Sequence, residues 1–305
     1  MAWIPALLPF VLSRKRWLIF LALNLFSIPA SADSVYVVNS NSQFGAVDLG
    51  TGAFQQIGPD MPEAGTGLAP GPNGSLLTLA VSGNLDAINP ATGVTTVIGP
   101  TGLGDCSFPT SPCGPNSAST IAALGGTIYA TDLANNLYRV NPLTGTATLL
   151  GPTGIPPLPF TLLATNPDGT FNAYDQALFS ANGKLYATFD AFTVNSTTFT
   201  LGTVVIPDHL YQIDPATGIA ALLGTTDLNL SAVADVNGTF YAFNSGTGQI
   251  VTLDLANGKT SFVGDFDPAA GIVTGASPAP EPTSIALAVF GIAGLVVYRR
   301  RRRVG

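Results

Sequence analysis

This 305-residue chain predicts an all-β fold, a β-propeller of four-stranded blades. Three observations predict it. First, five segments share one hairpin pattern: Gly45–Pro59, Leu85–Gly102, Leu137–Gly154, Leu210–Thr226 and Ile250–Asp265. Second, their turn glycines, Gly52, Gly93, Gly145, Gly218 and Gly258, are spaced by 41, 52, 73 and 40 residues. The shorter spacings match the period of a propeller blade, about 40 residues. Third, no window of the body keeps a 3.6-residue apolar period with caps, so helix is not expected there.

The repeat reads as follows. Each of the five segments has an apolar-alternating run, then Asn or Asp, often Pro, then Thr-Gly or Asn-Gly, then a second run ending in Gly. Two strand-like runs around such a turn form a β-hairpin. A Pro after the Asn or Asp cannot donate a ladder hydrogen bond and marks a strand end. Ahead of each hairpin lies a further strand: Val35–Ser40, Leu76–Gly83, Thr127–Asp132, Lys184–Phe189 and Thr239–Asn244. Ahead of all but the first lies a small-residue strand: Gly67–Gly74, Ile121–Gly126, Ala177–Gly183 and Ser231–Gly238. The first unit therefore lacks its opening strand. The segment Gly271–Ser277 (GIVTGAS) is similar to Gly65–Gly71 (GTGLAPG) and is expected to supply it, clasping the ring and removing its open edges.

The longer spacings are insertions: the cysteine loop Asp105–Gly114, the segment Ile155–Gln176, and Thr193–Pro207 between two strands of the fourth unit. Five blades are expected. Six or seven would follow if Phe160–Tyr174 and Thr193–Ile206 formed blade strands, and a sandwich or solenoid is the alternative architecture.

The ends read as processing segments, 1–32 and 278–305, around a body at 33–277. Arg14-Lys15-Arg16, the apolar run Trp17–Ile28 and Ala30-Ser31-Ala32 have the order of a secretory signal peptide, with Asp33 the first mature residue. An apolar stretch, Trp3–Leu12, precedes the basic cluster. At the other end, Pro280-Glu281-Pro282 leads into an uncharged apolar run, Ile285–Tyr298, and then Arg299, Arg300, Arg301, Arg302 and Arg303. As a helix that run spans about 21 Å, short of a bilayer core of about 30 Å. Arginines after an apolar run stop transfer and stay cytoplasmic, which places the body across the inner membrane.

Between the ends, the body keeps three basic residues, Arg139, Lys184 and Lys259, against seventeen acids. That balance excludes nucleic acid as a partner. Cys106 and Cys113, the only cysteines, are close enough in an exported chain to form a disulfide. The single histidine, His209, leaves no Ser-His-Asp triad pattern and no histidine metal site. Asp outnumbers Glu sixteen to two, and many aspartates sit beside Gly, Pro or Asn, where they make Asx turns. No cofactor is expected. Calcium is the alternative, with Asp168 and Asp175 as loop ligands, although neither belongs to a twelve-residue loop ending in Glu. Tyr36, Tyr129, Tyr138, Tyr186, Tyr211 and Tyr241 recur at equivalent strand positions and are expected to pack between blades.

The tail, about the last 25 residues, resembles the PEP-CTERM sorting signal of Gram-negative bacteria at Pro280-Glu281-Pro282, the run Ile285–Tyr298 and the arginines that follow. Ala279 stands where a valine often precedes the motif. The resemblance implies export by the Sec machinery and recognition by an exosortase. It also implies transient membrane attachment through the tail, then a cell-surface or extracellular location, often alongside exopolysaccharide. Such tails also carry the label of an ice-binding protein C-terminal domain; the body has no flat TxT array. The body resembles secreted propeller repeat proteins, a likeness of fold. The expectation is a non-enzymatic binding or matrix component without catalytic residues. The alternatives are a secreted hydrolase or lyase acting on glycans through loop aspartates, and an ice-binding protein.

Overall fold

The computed structural model describes residues 33–106, 113–157, 166–195, 197–198 and 201–279. Positions 1–32, expected to be a signal peptide, and 280–303, expected to carry the sorting motif, apolar run and arginines, lie outside the described residues.

The strands in chain order are β1 (Ser34–Asn39), β2 (Phe44–Asp48), β3 (Phe54–Gln56), β4 (Gly65–Pro70), β5 (Leu76–Ala80), β6 (Asn84–Ile88), β7 (Thr95–Pro100), β8 (Ala118–Leu124), β9 (Thr127–Asp132) and β10 (Asn136–Val140). Then follow β11 (Ala147–Pro152), β12 (Thr170–Ala181), β13 (Lys184–Asn195), β14 (Leu201–Ile213), β15 (Ala220–Thr225), β16 (Leu230–Val236), β17 (Thr239–Asn244), β18 (Gln249–Leu253), β19 (Thr260–Asp265) and β20 (Val273–Pro278). They make five antiparallel sheets of four strands: β20-β1-β2-β3, β4 to β7, β8 to β11, β12 to β15 and β16 to β19. This is a five-bladed propeller. β20 completes the first blade, pairing Val35 with Pro278 and Tyr36 with Ser277.

The inner strands β4, β8, β12, β16 and β20 contact one another in a closed ring. Their residues are small or apolar on both faces, because each face meets a neighbouring blade. The core is accordingly five wedges between blades. Val35, Val37 and Phe243 fill the wedge between blades five and one, and Leu77, Ile121 and Ile128 that between two and three. Leu137, Leu185 and Phe189 lie between blades three and four. Leu210, Leu230 and Val251 lie between four and five, and Phe44, Leu76 and Ile88 between one and two. Hydroxyls stitch the inner ring across blades. Thr274 Oγ1 donates to Gly65 O (2.7 Å) and Ser231 Oγ to Val273 O (2.6 Å).

The second glycine of each repeat has a structural reason. The outer strand shifts register by a β-bulge beside Gly99, Gly151, Gly224 and Gly264, at the same place in four blades. A Cβ on Gly99 would lie 2.5 Å from Thr144 O, and one on Gly224 2.0 Å from Asn257 O. At Gly99 and Gly224 the missing Cβ lets the hairpin turn of the next blade dock against the outer strand of the one before. Backbone bonds follow the same seam, with Ala147 N donating to Thr101 O (2.9 Å) and Ala220 N to Thr153 O (2.8 Å).

Thr193–Ile206 forms no blade of its own. It prolongs β13 and β14, and the prolonged β12 pairs with β13 from Thr170↔Asn195 to Ala181↔Lys184. Of the insertion before Ala177, Thr170–Gln176 is therefore strand, the outward run of an inner strand. Two of the recurring tyrosines pack against phenylalanines: Tyr36 lies 5.4 Å from Phe44, and Tyr186 stacks on Phe179 at 5.6 Å.

Candidate functional site

Antiparallel order sorts the connections by end. The turns between the first and second strands of a blade, and between the third and fourth, leave one end of the sheet. The turns between second and third strands, and the links to the next blade, leave the other. All three insertions fall in the second class: the cysteine loop lies between β7 and β8, Ile155–Asp168 leads to β12, and the prolonged hairpin joins β13 to β14. One end of the ring is thus a set of short turns, and the other carries every elaborated loop.

On the elaborated end, the ordinary second-to-third turn is held by an Asn or Asp at the strand end. Asn39 Oδ1 accepts from Asn41 N (3.1 Å) and Gln43 N (2.9 Å), Asp132 Oδ1 from Asn136 N (2.8 Å), and Asn244 Oδ1 from Gly246 N (2.9 Å). Blade two has Ala80 at that position, and Glu63 substitutes from the preceding link, its Oε2 accepting from Ser82 N (3.1 Å). Nearby Asp86 is buried, and burial, with the charge of Glu63 second, pushes its pKa up to about 6. Blade four has Phe189 at the capping position, and there the prolonged hairpin begins.

At that junction three aspartates sit on three adjacent strands. Asp175 of β12 is directly opposite Asp190 of β13, and Asp175 N donates to Asp190 Oδ1 (2.8 Å). Asp208 lies on β14, beside the bulge between Phe189/Ala191, and its Oδ2 accepts from Leu230 N (3.1 Å). Blade five closes the cluster: Asn229 Nδ2 donates to Asp190 Oδ2, and Ser245 Oγ to Asp175 Oδ2. Asp190 and Asp208 are buried. No basic side chain is among their partners; Lys184, at the far end of β13, donates to Gln212 Oε1 (3.0 Å). Burial raises the pKa of all three, and mutual repulsion adds to Asp190, which is raised furthest. Burial and mutual repulsion thus disfavour the ionised form throughout the cluster, most of all at Asp190.

A second network fastens blades three and four. Ser119 Oγ donates to Gln176 Oε1, Gln176 Nε2 to Asn135 Oδ1 (3.0 Å), and Asn135 Nδ2 to Pro156 O (2.8 Å). Tyr174, whose pKa burial pushes up to about 12, packs on the disulfide between Cys106 and Cys113 (Cα–Cα 4.3 Å). The two cysteines thereby lie against the prolonged β12 of blade four.

Asp168 and Asp175 are not brought together. Asp168 is exposed and closes an Asx turn, accepting from Thr170 N (3.0 Å) and Thr170 Oγ1 (2.7 Å). Five extended residues, about 17 Å, separate Thr170 from Asp175. Among the described residues no group of three or more acidic, Cys or His side chains is set to hold a metal ion. His209 lies on β14 with its ring 6.0 Å from that of Tyr211, and its Nδ1 is buried without a hydrogen-bond partner. Sequence reasoning passed over Asp190, which follows Phe189 at the one blade position where the capping Asn or Asp is displaced. That displacement, directly before an insertion, is the signal that marks it.

The ring, its small inner strands and its one elaborated end define a β-propeller repeat protein. No protein-family model matches the sequence, and no curated protein does. Solved structures match over most of the ring. One is a chain of a nidogen/laminin complex, at 15% identity and a TM-score of 0.48, covering 82% of this chain and 98% of that one. Another is an aldose sugar dehydrogenase from Streptomyces coelicolor in its PQQ-bound form, at 12% identity and 0.42, covering 82% and 90%. A third is virginiamycin B lyase from Staphylococcus aureus, at 14% identity and 0.38, covering 81% and 71%.

Proposed function

We propose that this is an exported bacterial propeller, sorted to the cell surface through its PEP-CTERM-like tail and acting there as a non-enzymatic binding or matrix component. The observation that carries the reading is the tail order: Pro280-Glu281-Pro282, then an uncharged run too short for a comfortable permanent span, then five arginines. The clasp supports it. β20 ends at Pro278, so the ring is complete before the motif begins, and trimming after the motif leaves every blade whole. No helix among the described residues is long and apolar enough to cross a membrane. Sec export, an exosortase as processing partner and extracellular polysaccharide as a ligand class follow from the same reading. In the native host, Glu281→Ala should leave the protein in the membrane fraction with its tail attached; continued release of trimmed surface protein would sink the sorting proposal.

A second reading rests on the aspartate cluster. Carboxyls whose surroundings push their pKa values apart can serve as acid and base, and glycan hydrolysis uses such a pair. Turnover of purified polysaccharides by the full-length protein, abolished by Asp190→Asn, would replace the binding assignment with an enzymatic one. Its absence across a polysaccharide panel, with retention of polysaccharide in a pull-down, supports binding.

A further inference from the structure

The aspartates of blade four are foreign to the repeat that carries them. One backbone bond from the outer strand fixes the equivalent positions: Thr101 N donates to Gly83 O, Thr153 N to Asn135 O, Phe266 N to Gly248 O and Thr226 N to Asp208 O. Blades two, three and five thus place a neutral residue where blade four places Asp208. Strand pairing likewise aligns Asp190 with Leu133 and Ser245, the residues that follow the capping Asp132 and Asn244. The repeat does not require these acids, and no side chain of the ring neutralises them. Its three basic residues, Arg139, Lys184 and Lys259, all lie toward the short-turn end of their sheets. Asp208 is nevertheless only 7% exposed, and its Oδ1 has no hydrogen-bond partner. Thr226 Oγ1 lies beside it but gives its hydrogen to Leu228 O (2.8 Å). A buried acceptor without a donor lacks a partner that the fold should supply. Among three mutually repelling carboxylates, that partner is a cation.

We propose that Asp175, Asp190 and Asp208 bind a calcium ion together with Asn229 and Ser245 of blade five. The three carboxylates are not set around an ion as they stand. Two of them are turned to blade five, where Asn229 Nδ2 donates to Asp190 Oδ2 and Ser245 Oγ to Asp175 Oδ2. Those two partners are the remaining ligands. A half-turn of the Asn229 amide puts its oxygen where its nitrogen was, and the Ser245 hydroxyl rotates to offer a lone pair. All five side chains then present oxygen, which selects a hard cation. Their irregular placement, on three strands and two loops, suits calcium, which takes about six to eight oxygens in flexible geometry, over magnesium, which demands a near-ideal octahedron. Asp175, Asn229 and Ser245 are only partly buried, so the ion has a path in and water completes its shell. Bound there, it ties the prolonged strands of blade four to blade five. The proposal competes with the acid–base reading of the cluster, because carboxylates on an ion have no proton to transfer. Calcium binding and polysaccharide turnover are separate measurements, so each idea fails on its own result.

The test is isothermal titration of the full-length protein, stripped with chelator and held in nonionic maltoside micelles, with calcium chloride as probe and protein-free micelles as blank. One equivalent of calcium should bind saturably, with magnesium at least about tenfold weaker. Asp190→Asn and Asp208→Asn should each lower calcium affinity about tenfold or more, since affinity follows the number of charged ligands. Asp214→Asn, in an exposed Asx turn where asparagine serves equally well, should leave it unchanged. Calcium should also raise the thermal midpoint of the wild type, because the ion binds only the folded ring. Asp208→Asn keeps an oxygen for Leu230 N and removes a repelling carboxyl, so in chelator its midpoint should equal or exceed that of the wild type while its response to calcium is lost. That combination separates a lost ligand from a lost fold. Absence of saturable calcium binding, magnesium binding as tightly, or unchanged calcium affinity in both Asp190→Asn and Asp208→Asn would overturn the proposal.

Discussion

Replacing Gly93 by alanine tests whether the turn glycines dock blades or merely make turns. Gly93 has φ +68°, and its N–H donates the turn bond to Asn89 O (2.8 Å). An alanine Cβ there would lie 1.8 Å from Ile57 O of the preceding blade. Gly238 is the control: its φ is +82°, but a Cβ would meet nothing within 4 Å. The left-handed conformation costs an L-residue roughly 1–2 kcal/mol, offset in part by the stiffer unfolded chain, so Gly238→Ala should lose about 1 kcal/mol. At Gly93 a backbone carbonyl cannot rotate away, so the blades must part, adding about 1–3 kcal/mol of the kind seen on overpacking. Gly93→Ala should therefore lose about 2–4 kcal/mol in all. Urea unfolding of the two variants, with unchanged slope and shifted midpoint, measures the difference. Equal losses would refute the docking argument and leave these glycines as local turn residues only.

The aspartate cluster makes stability fall as pH rises. Its folded pKa values lie above the unfolded ones, so its contribution is complete below about pH 4 and is lost through about 6 for Asp175 and about 7 for Asp208, at up to about 1.4 kcal/mol per pH unit for each proton released. Asp190→Asn should flatten that slope between pH 5 and 8 while costing about 1–2 kcal/mol at pH 5, where one accepting oxygen is lost; an unchanged slope in chemical denaturation would contradict the shared-proton account. The disulfide closes a loop with a sequence separation of 7, worth about 2.5 kcal/mol in the chain-entropy account, so Cys106→Ser with Cys113→Ser should lower the unfolding midpoint. Thiol labelling of the unreduced wild-type protein should find neither cysteine, and labelling of both would defeat that assignment.

Much of the ring was legible because its information is local and repeated. Thr-Gly and Asn-Gly turns, alternating strands and a near-constant period announce each blade without reference to its neighbours. The clasp was legible for a deeper reason. The likeness between Gly65–Gly71 and Gly271–Ser277 reflects a shared position, and the two glycines at its centre meet: a Cβ on Gly275 would lie 2.4 Å from the backbone of Gly67. The arm of blade four was not legible, because Thr193–Pro207 reads as a loop until both its partners, β12 and the other half of the hairpin, are in register. The aspartate cluster was hidden similarly. Asp175, Asp190 and Asp208 are 15 and 18 residues apart in the chain, and only pairing across three strands, with Asn229 and Ser245 arriving from the next blade, brings them together. Local turn chemistry also masked the second duty of Gly93, since a hairpin already explains a glycine there.

The pairing of β1 with β20 also bears on how the molecule comes to exist. Its first strand is synthesised at the outset, and its inner neighbour arrives only with Val273–Pro278. Blades two to five are built from consecutive residues, so each can form while the rest is still being made, at the modest entropic cost of closing short loops. Blade one must wait. Until the final strand appears, β1 presents a bare edge, and so does the blade-two strand face that β20 will cover. Closure is therefore the last pairing the chain can make, and the interval before it is when a chaperone, a translocation channel or a second unfinished chain has access to the open edges.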